Sequence, residues 1–308
     1  MRMIPNKERR ARCGPMLGAV LAAAVLAGCA APTTRTDAGA LRVVAAESPW
    51  GAVAAAIGGR HVVVTSLVAD PNTDPHDYQP TAAAAAAVAR AGVVIDNGLG
   101  YDTFMTQLLS PGGAAGRRVI TAASVLGIHG ADANPHLWYL VERVPQVASA
   151  IAAALEGADP AHRDSYRSNL AHFDASLAPL ISSIAAIRTA RSGTAVAQTE
   201  RVAGYLLAES GLVLASPLSF ALAVESGQNP SAQATQGMDA DLSGHRVAAL
   251  VLNEQTTSPV TSHASALAAA AGVPVVKVSE VVLPVGSSYV RWQRGQIASL
   301  AAALGVMT

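Results

Sequence analysis

Three features of the sequence predict an α/β fold: two lobes, each a mainly parallel sheet flanked by helices, joined by one long helix. The first two features are separate series of short runs rich in β-branched residues, which alanine-rich stretches long enough for helices divide from one another. Strands that alternate with helices indicate parallel α/β units, so each series predicts one lobe. The runs are 42–45, 62–67, 93–96 and 118–121 in the first series, and 194–198, 248–253 and 273–278 in the second.

The third feature is a long stretch with helical periodicity between the two series. Its apolar residues recur at spacings of three and four: Leu170, Phe173, Leu177, Leu180, Ile181, Ile184 and Ile187. This spacing predicts one amphipathic helix, which Asp159 can cap and which begins at Pro160. Roughly 30 helical residues span about 45 Å, enough to pass between two lobes. The predicted boundaries are 41–158 for the N-terminal lobe, 159–190 for the linking helix and 191–308 for the C-terminal lobe.

The first 28 residues have the order of an export signal, with a basic stretch followed by an apolar run from Met16 to Ala27. The run is shorter than the roughly 20 apolar residues that a membrane span requires. It ends in Leu26-Ala27-Gly28-Cys29, which resembles a bacterial lipobox and predicts lipidation of Cys29 after cleavage. Residues 29–40 are small and polar, which is typical of a flexible tether. The mature chain is therefore expected outside the cytoplasm, anchored by lipid to the outer face of the cytoplasmic membrane.

Composition excludes several classes of function. Lysine plus arginine and aspartate plus glutamate number 21 each, so the charge balance does not indicate a nucleic-acid partner. Cys13 lies in the predicted signal, which leaves the mature chain with the lipidated Cys29 as its one cysteine. A disulfide framework and a thiolate metal site are therefore excluded.

Two histidines each directly follow a proline and precede an aromatic residue by two positions. His76 lies in Asp74-Pro75-His76-Asp77-Tyr78, and His136 lies in Asn134-Pro135-His136-Leu137-Trp138. Proline fixes its own φ and biases the preceding residue towards extended conformations, so both imidazoles are expected on stiff loops. Ligands held in advance lose less entropy when a cation binds.

The predicted strands bring these histidines to one region together with a carboxylate. Open α/β sheets bind ligands beyond the carboxyl ends of their strands, and His76, His136 and Glu200 each follow a predicted strand. Two imidazoles and one carboxylate suit a divalent metal such as zinc or manganese. Glu200 also opens a predicted helix, where the helix dipole alone would favour a carboxylate.

Further motifs complete a resemblance: Glu200 with Tyr205 and Gly211, Asn253-Glu254, and Gly286-Ser287-Ser288-Tyr289. With the lipobox and the two Pro-His loops, they resemble the solute-binding lipoproteins of zinc and manganese ABC importers, the metal-binding cluster A-I type. The resemblance covers essentially the whole mature chain. It implies two Rossmann-like lobes with Zn²⁺ or Mn²⁺ bound between them. It also implies a monomeric receptor, not an enzyme, that delivers the metal to an ABC permease and its ATPase.

The resemblance also implies a ligand set. It places the first three ligands at His76, His136 and Glu200, and the fourth at Ser287, where the family usually has an aspartate. Serine supplies no anionic oxygen near neutral pH, so the site is expected to be one carboxylate short. Glu280 is the acidic residue nearest to that loop in sequence, and a surface role is expected for it, with a substitute ligand as the alternative.

Other residues have supporting roles or none. Glu254, Tyr289 and Trp138 are expected to lie behind the ligands and to support them. Zinc-type members often carry a histidine-rich loop, and this chain has only His129 there, which is expected to be exposed. Glutamate at the third position and the short loop favour manganese, whereas an incomplete set of oxygens favours zinc.

Three alternatives are compatible with the same residues. An exported zinc metallohydrolase would hold Zn²⁺ with His76, His136 and Glu200, keep one position open for water and use Glu254 as its base. A receptor for a chelated metal or for haem would use the same architecture but would favour Arg, Tyr or Trp in its cleft. Adhesion is a further possible role of surface-anchored members of such families.

Overall fold

The computed structural model describes residues 39–72, 78–109 and 115–307. The predicted signal, the lipidation site Cys29, most of the tether and the ligand candidate His76 lie outside the described residues. From Ala38 onward the chain forms one compact unit. The boundaries predicted for the lobes and the linking helix stay predictions.

The N-terminal lobe is built on a sheet of four parallel strands. These are β1 (Leu41–Glu47), β2 (Val62–Val68), β3 (Val93–Asp96) and β4 (Arg118–Thr121), in the order β2-β1-β3-β4. In β1 the side chains from Val43 to Glu47 are all buried, because helices cover both faces of a parallel sheet. This burial is why the strand appears in the sequence as a continuous apolar run.

The C-terminal lobe repeats this arrangement. Its strands are β5 (Ala195–Gln198), β6 (Val213–Leu214), β7 (Leu250–Asn253) and β8 (Val275–Val278), in the order β6-β5-β7-β8, again all parallel. The short edge strand β6 was not predicted, because two exposed residues carry too little pattern to be recognised. The predicted α/β fold of two mainly parallel sheets is confirmed.

Eleven α-helices occur within the described residues. In the N-terminal half they are α1 (Ser48–Gly58), α2 (Ala82–Arg90), α3 (Phe104–Leu109), α4 (Ala122–Leu126) and α5 (Val144–Ala158). The remaining helices are α6 (Arg163–Arg191), α7 (Gly204–Glu209), α8 (Leu218–Glu225), α9 (Ala232–Ser243), α10 (Pro259–Ala270) and α11 (Tyr289–Ala303). Side-chain oxygens of Thr81, Ser231, Ser258 and Ser288 cap α2, α9, α10 and α11 by accepting backbone N–H groups.

The long helix α6 connects the two lobes, as predicted. It packs against α1, α5 and α11. Five residues of the predicted apolar stripe are buried, Leu170 and Ile181 are partly buried, and Tyr166 is buried in addition. The buried residues are Tyr166, Phe173, Leu177, Leu180, Ile184 and Ile187. Among the described residues, Pro160–Arg191 alone has the length and hydropathy to cross a membrane. Its buried apolar residues belong to the core that the two lobes share.

The start of the long helix differs from the prediction. Pro160–His162 form a 3₁₀ turn, and the Asp159 side chain does not cap it. The Asp159 carboxylate instead accepts a hydrogen bond from the Tyr166 hydroxyl and pairs with the His162 ring, both at 2.7 Å. His162 in turn stacks on His61, with ring centroids 3.9 Å apart. Tyr166 and His162 thus compete with the backbone N–H groups of the first turn for the Asp159 carboxylate.

Candidate metal centre

Three buried polar side chains meet at the carboxyl edge of the C-terminal sheet. Glu200 follows β5, Asn253 ends β7 and Glu280 follows β8, and their exposed fractions are 2%, 2% and 1%. Parallel strands end at the same edge, so residues distant in sequence converge there. Glu200 lies in the turn ahead of α7, which begins at Gly204, so the dipole of that helix does not explain it. The surface role expected for Glu280 is wrong, because the side chain is buried.

The amide of Asn253 joins the two carboxylates. Its nitrogen Nδ2 lies 3.0 Å from Glu200 Oε2 and 2.8 Å from Glu280 Oε1, within donating distance of both. Its oxygen Oδ1 accepts the backbone N–H of Gln255, which fixes the amide with nitrogen towards the carboxylates. The Gln255 side chain closes the network by accepting the backbone N–H groups of Glu280 and Val281 at 2.6 and 3.0 Å. The two carboxylates are therefore held side by side.

His136 reaches the same carboxylates from the N-terminal lobe. It is completely buried, and its Nε2 lies 3.1 Å from Glu280 Oε2. The loop that carries it is attached to the other lobe by Asn134, whose Nδ2 donates to the Arg201 carbonyl at 2.7 Å. The hydroxyl of Tyr205 donates to the Asn134 carbonyl at 2.9 Å. The histidine is thus held at the boundary between the lobes.

Hydrogen bonding assigns the tautomer of His136. Since Asn134 Nδ2 faces a carbonyl, Asn134 Oδ1 is the atom that lies 2.7 Å from His136 Nδ1, and it requires a hydrogen on that nitrogen. In the neutral imidazole the other nitrogen, Nε2, then carries a lone pair. Nε2 and Glu280 Oε2 are both acceptors at 3.1 Å. A proton or a metal cation between them is needed to make this buried contact favourable.

Tyr101 is a further side chain at this point, which the sequence reasoning missed. Its hydroxyl donates to Glu280 Oε2 at 2.6 Å. Its ring meets those of His136 and Trp138 edge to face, with centroids 5.7 and 5.1 Å apart. Trp138 also lies edge to face with His136 at 5.7 Å. The two aromatic rings pack the imidazole from neighbouring sides and fix its orientation.

A second group of acids lies at the carboxyl edge of the N-terminal sheet. Glu47 ends β1, Asp96 ends β3, and Asp102 follows in the next loop. Burial, followed by the charge of Asp102, raises the pKa of Glu47 well above its ordinary value. Burial raises the pKa of Asp102 as well, against hydrogen bonds from the backbone N–H groups of Asn97 and Gly98. At least part of this group therefore holds protons when ordinary carboxyl groups have lost theirs.

The pKa of Asp96 makes a prediction for stability. Burial raises it from 3.8 to about 6. A raised pKa means that the folded chain binds the proton more tightly than the unfolded chain does. The proton therefore adds to the free energy of unfolding, fully below the unfolded pKa, and this contribution is lost as pH rises to about 6. Because Asp96→Asn removes this titration, the Tm of the variant relative to the wild type should rise by a few degrees across that window. Calorimetry at several pH values measures it, and a Tm difference independent of pH would contradict the assignment.

The remaining predicted residues divide into those near the centre and those away from it. Trp138 lies against His136, and Tyr289 supports it by donating from its hydroxyl to the Trp138 carbonyl at 2.7 Å. Glu254 is exposed, and its backbone N–H bonds to the Val278 carbonyl, so it does not support the ligands as expected. His129 is exposed, as expected.

Ser287, the expected fourth ligand, lies at a surface depression. It is half-buried and lines the depression together with Ser48, Gly51 and Val64 of the N-terminal lobe. The carboxylate that does lie beside His136 is Glu280, seven positions earlier in the chain. The sequence signal that would have identified Glu280 is its position just after β8, equivalent to that of Glu200 after β5.

Comparisons with known proteins identify related metal-binding proteins. The manganese-binding lipoprotein MntA of Bacillus subtilis is 29% identical over 165 residues, which are 51% of this chain and 54% of MntA. The iron ABC transporter substrate-binding lipoprotein MtsA of Streptococcus pyogenes is 28% identical over 182 residues, 55% of this chain and 58% of MtsA. The chain thus spans about half the length of each of these relatives. Their names describe binding proteins of metal transport rather than enzymes, which agrees with the prediction of a non-enzymatic protein.

The fold and the family are both identified by comparison. The substrate-binding protein FpvC of Pseudomonas aeruginosa, solved in complex with Mn²⁺, superimposes with a TM-score of 0.72 at 22% identity, over 86% of this chain and 98% of FpvC. This likeness shows that the two proteins share a fold. The family model described as the periplasmic component A of the zinc-uptake complex, ZnuA, matches residues 43–303. The chain therefore belongs to the ZnuA family.

Proposed function

We propose that this chain is the extracytoplasmic substrate-binding lipoprotein of an ABC importer and that it captures Zn²⁺ or Mn²⁺ between its lobes. The observation that carries the proposal is the buried pair of acceptors, His136 Nε2 and Glu280 Oε2, at 3.1 Å. A cation between these atoms removes their repulsion, and a transported divalent metal supplies one. The names of MntA, MtsA and the zinc-uptake family support a metal as the cargo.

The proposed ligands are His76, His136, Glu200 and Glu280. Within the described residues, no three His, Cys, Asp or Glu side chains form a group that could hold a metal ion. The set therefore depends on His76, which lies outside those residues, together with a small approach of Glu200 towards Glu280. Two carboxylates balance the charge of a dication, so Glu280 supplies the negative charge that Ser287 lacks. Two nitrogen and two carboxylate ligands suit both zinc and manganese.

The cellular setting follows from the N-terminal sequence and the family. Cleavage before Cys29 and its lipidation would tether the receptor to the outer face of the cytoplasmic membrane. From there the loaded monomer would dock on an ABC permease, and the associated ATPase would drive transport. The names of MntA and MtsA as lipoproteins support the tether.

Hydrolysis of a substrate is less well supported than capture of a metal. A zinc hydrolase needs a base beside its metal, and the candidate Glu254 is exposed on another face of β7 and β8. His136 and both proposed carboxylate ligands are almost completely buried, which suits a cargo as small as an ion.

Metal titration tests the proposal. The purified protein is stripped with a chelator and titrated with Zn²⁺ and with Mn²⁺ by calorimetry, in competition with a chromophoric chelator. One equivalent of metal should bind with at least micromolar affinity and raise the Tm. Metal at 100 times its Kd should add about 2.7 kcal/mol to the free energy of unfolding. Failure of both metals to bind with micromolar affinity would refute the proposed function.

A further inference from the structure

Tyr101 forms a hydrogen bond between the lobes directly to a proposed ligand. It belongs to the loop after β3, in the N-terminal lobe, and Glu280 follows β8 in the C-terminal lobe. The 2.6 Å distance between the Tyr101 hydroxyl and Glu280 Oε2 is that of a strong O–H···O⁻ bond to an ionised acceptor. The bond joins residues that are 179 positions apart in the chain.

The loop that carries Tyr101 is held in an unusual conformation. Gly98, Leu99 and Gly100 all have positive φ, at 81°, 57° and 81°. A positive φ is uncommon for leucine and persists only where surrounding contacts maintain it. Here the Asp102 carboxylate accepts the backbone N–H groups of Asn97 and Gly98 at 2.6 and 3.0 Å, which closes the loop around the turn.

Asn97 connects this loop to the one that carries His136. Its side-chain oxygen accepts from Trp50 Nε1 at 3.0 Å, and its nitrogen donates to the Pro135 carbonyl at 2.7 Å. The Tyr101 hydroxyl and the His136 imidazole are therefore supported by one set of hydrogen bonds in the N-terminal lobe. Both reach the same oxygen of Glu280.

The two oxygens of Glu280 consequently have donors from different lobes. Oε1 accepts from Asn253 in its own lobe at 2.8 Å, and Oε2 accepts from Tyr101 across the boundary at 2.6 Å. A carboxylate held at both oxygens does not rotate freely about its terminal bond. A movement of the lobes apart would break the bond from Tyr101 and leave the one from Asn253. The orientation of Glu280 would thus depend on how closely the lobes approach each other.

We propose that Tyr101 is a positioning residue that holds Glu280 towards the bound metal and slows release of the metal from the closed protein. This inference rests on the proposed function. In this inference the Tyr101 hydroxyl acts on the metal through the Glu280 carboxylate. The contact between the two side chains forms only when the lobes are together. Loss of the hydroxyl should therefore affect dissociation of the metal much more than association.

The substitution Tyr101→Phe tests the inference, because it removes the hydroxyl and keeps the ring against His136 and Trp138. Stopped-flow release of Zn²⁺ and Mn²⁺ to excess chelator should be about tenfold faster than in the wild type, as expected for the partner of a metal ligand. The association rate should change by less than about twofold. The Tm of the metal-free protein should stay close to that of the wild type.

One matched tyrosine and one double variant serve as controls. Tyr166→Phe removes a hydroxyl bond remote from the site, to Asp159. It should not accelerate release as Tyr101→Phe does. If Tyr101 acts through Glu280, Tyr101→Phe should have no further effect in a Glu280→Ala background, which lacks the oxygen that the hydroxyl holds.

Each failure has a distinct meaning. If the wild type binds metal and Glu280→Gln weakens binding, but Tyr101→Phe releases metal at the wild-type rate, the inference is overturned and the proposed function stands. The same follows if Tyr101→Phe accelerates release equally in the Glu280→Ala background, since the hydroxyl would then act on the fold in general. If the wild type binds neither metal, the proposed function is overturned and the inference with it.

Discussion

Replacing His136 with alanine is expected to weaken the binding of Zn²⁺ or Mn²⁺ by at least about 100-fold, about 2.7 kcal/mol. The imidazole is completely buried, its tautomer is set by Asn134, and its Nε2 faces Glu280 at 3.1 Å. A ligand held in this way loses little entropy on binding, so few other groups can replace it. Equilibrium competition with a chelator of known affinity measures the loss.

The matched control for His136→Ala is His172→Ala. His172 is an exposed histidine on α6, so its removal deletes an imidazole without reaching the centre. The His172→Ala variant should bind both metals with the affinity of the wild type. If His136→Ala binds metal as tightly as His172→Ala, His136 is not a ligand and the metal lies elsewhere.

The second large effect concerns the fourth ligand. Glu280→Ala should weaken metal binding by about 100-fold, whereas Ser287→Asp should leave the affinity unchanged. Glu280 is buried between Asn253 and Tyr101 and faces His136, so its loss removes one of two negative charges from the site. An aspartate at Ser287 would point into the depression beside Ser48 and Gly51.

This pair of variants separates the ligand expected from the motif from the one suggested by the structure. Calorimetric titration of both, with their Tm values as a check on folding, gives the comparison. Tighter binding by Ser287→Asp together with unchanged binding by Glu280→Ala would show that the fourth ligand lies in the Gly286–Tyr289 segment. Glu280→Gln, which keeps the shape and removes the charge, distinguishes loss of the carboxylate from loss of packing.

Much of the fold could be predicted because it depends on burial, and burial leaves a pattern in the sequence. The run at 93–96 coincides with β3, whose residues Val93 to Ile95 are all buried, since a strand covered on both faces is largely apolar. The run at 118–121 coincides with the edge strand β4, although its first two residues are exposed. The apolar stripe of α6 was equally clear. Strand β6 left no such pattern, because both of its residues are exposed. At Asp159, competing partners from a neighbouring turn displaced the expected cap.

The site was only partly predictable, for reasons of topology. His136 and Glu200 both follow predicted strands, and His136 also lies in one of the two Pro-His motifs. Glu280 occupies the same kind of position after β8. The fourth ligand was nevertheless expected at Ser287, because of the nearby Gly286–Tyr289 motif. Tyr101 had no local signal, because its significance comes from a partner 179 residues away.

The common strand order of the two sheets has a consequence for how charge is distributed. Superposing one order on the other makes β1 equivalent to β5 and β3 equivalent to β7. The acidic ends of β1 and β3, Glu47 and Asp96, are then the counterparts of Glu200 and Asn253. The molecule is pseudo-symmetric in backbone, whereas burial and the charge of Asp102 raise the pKa of Glu47 well above its ordinary value and so favour its neutral form. One of two equivalent edges thereby competes less for a dication, which favours a single metal on the other.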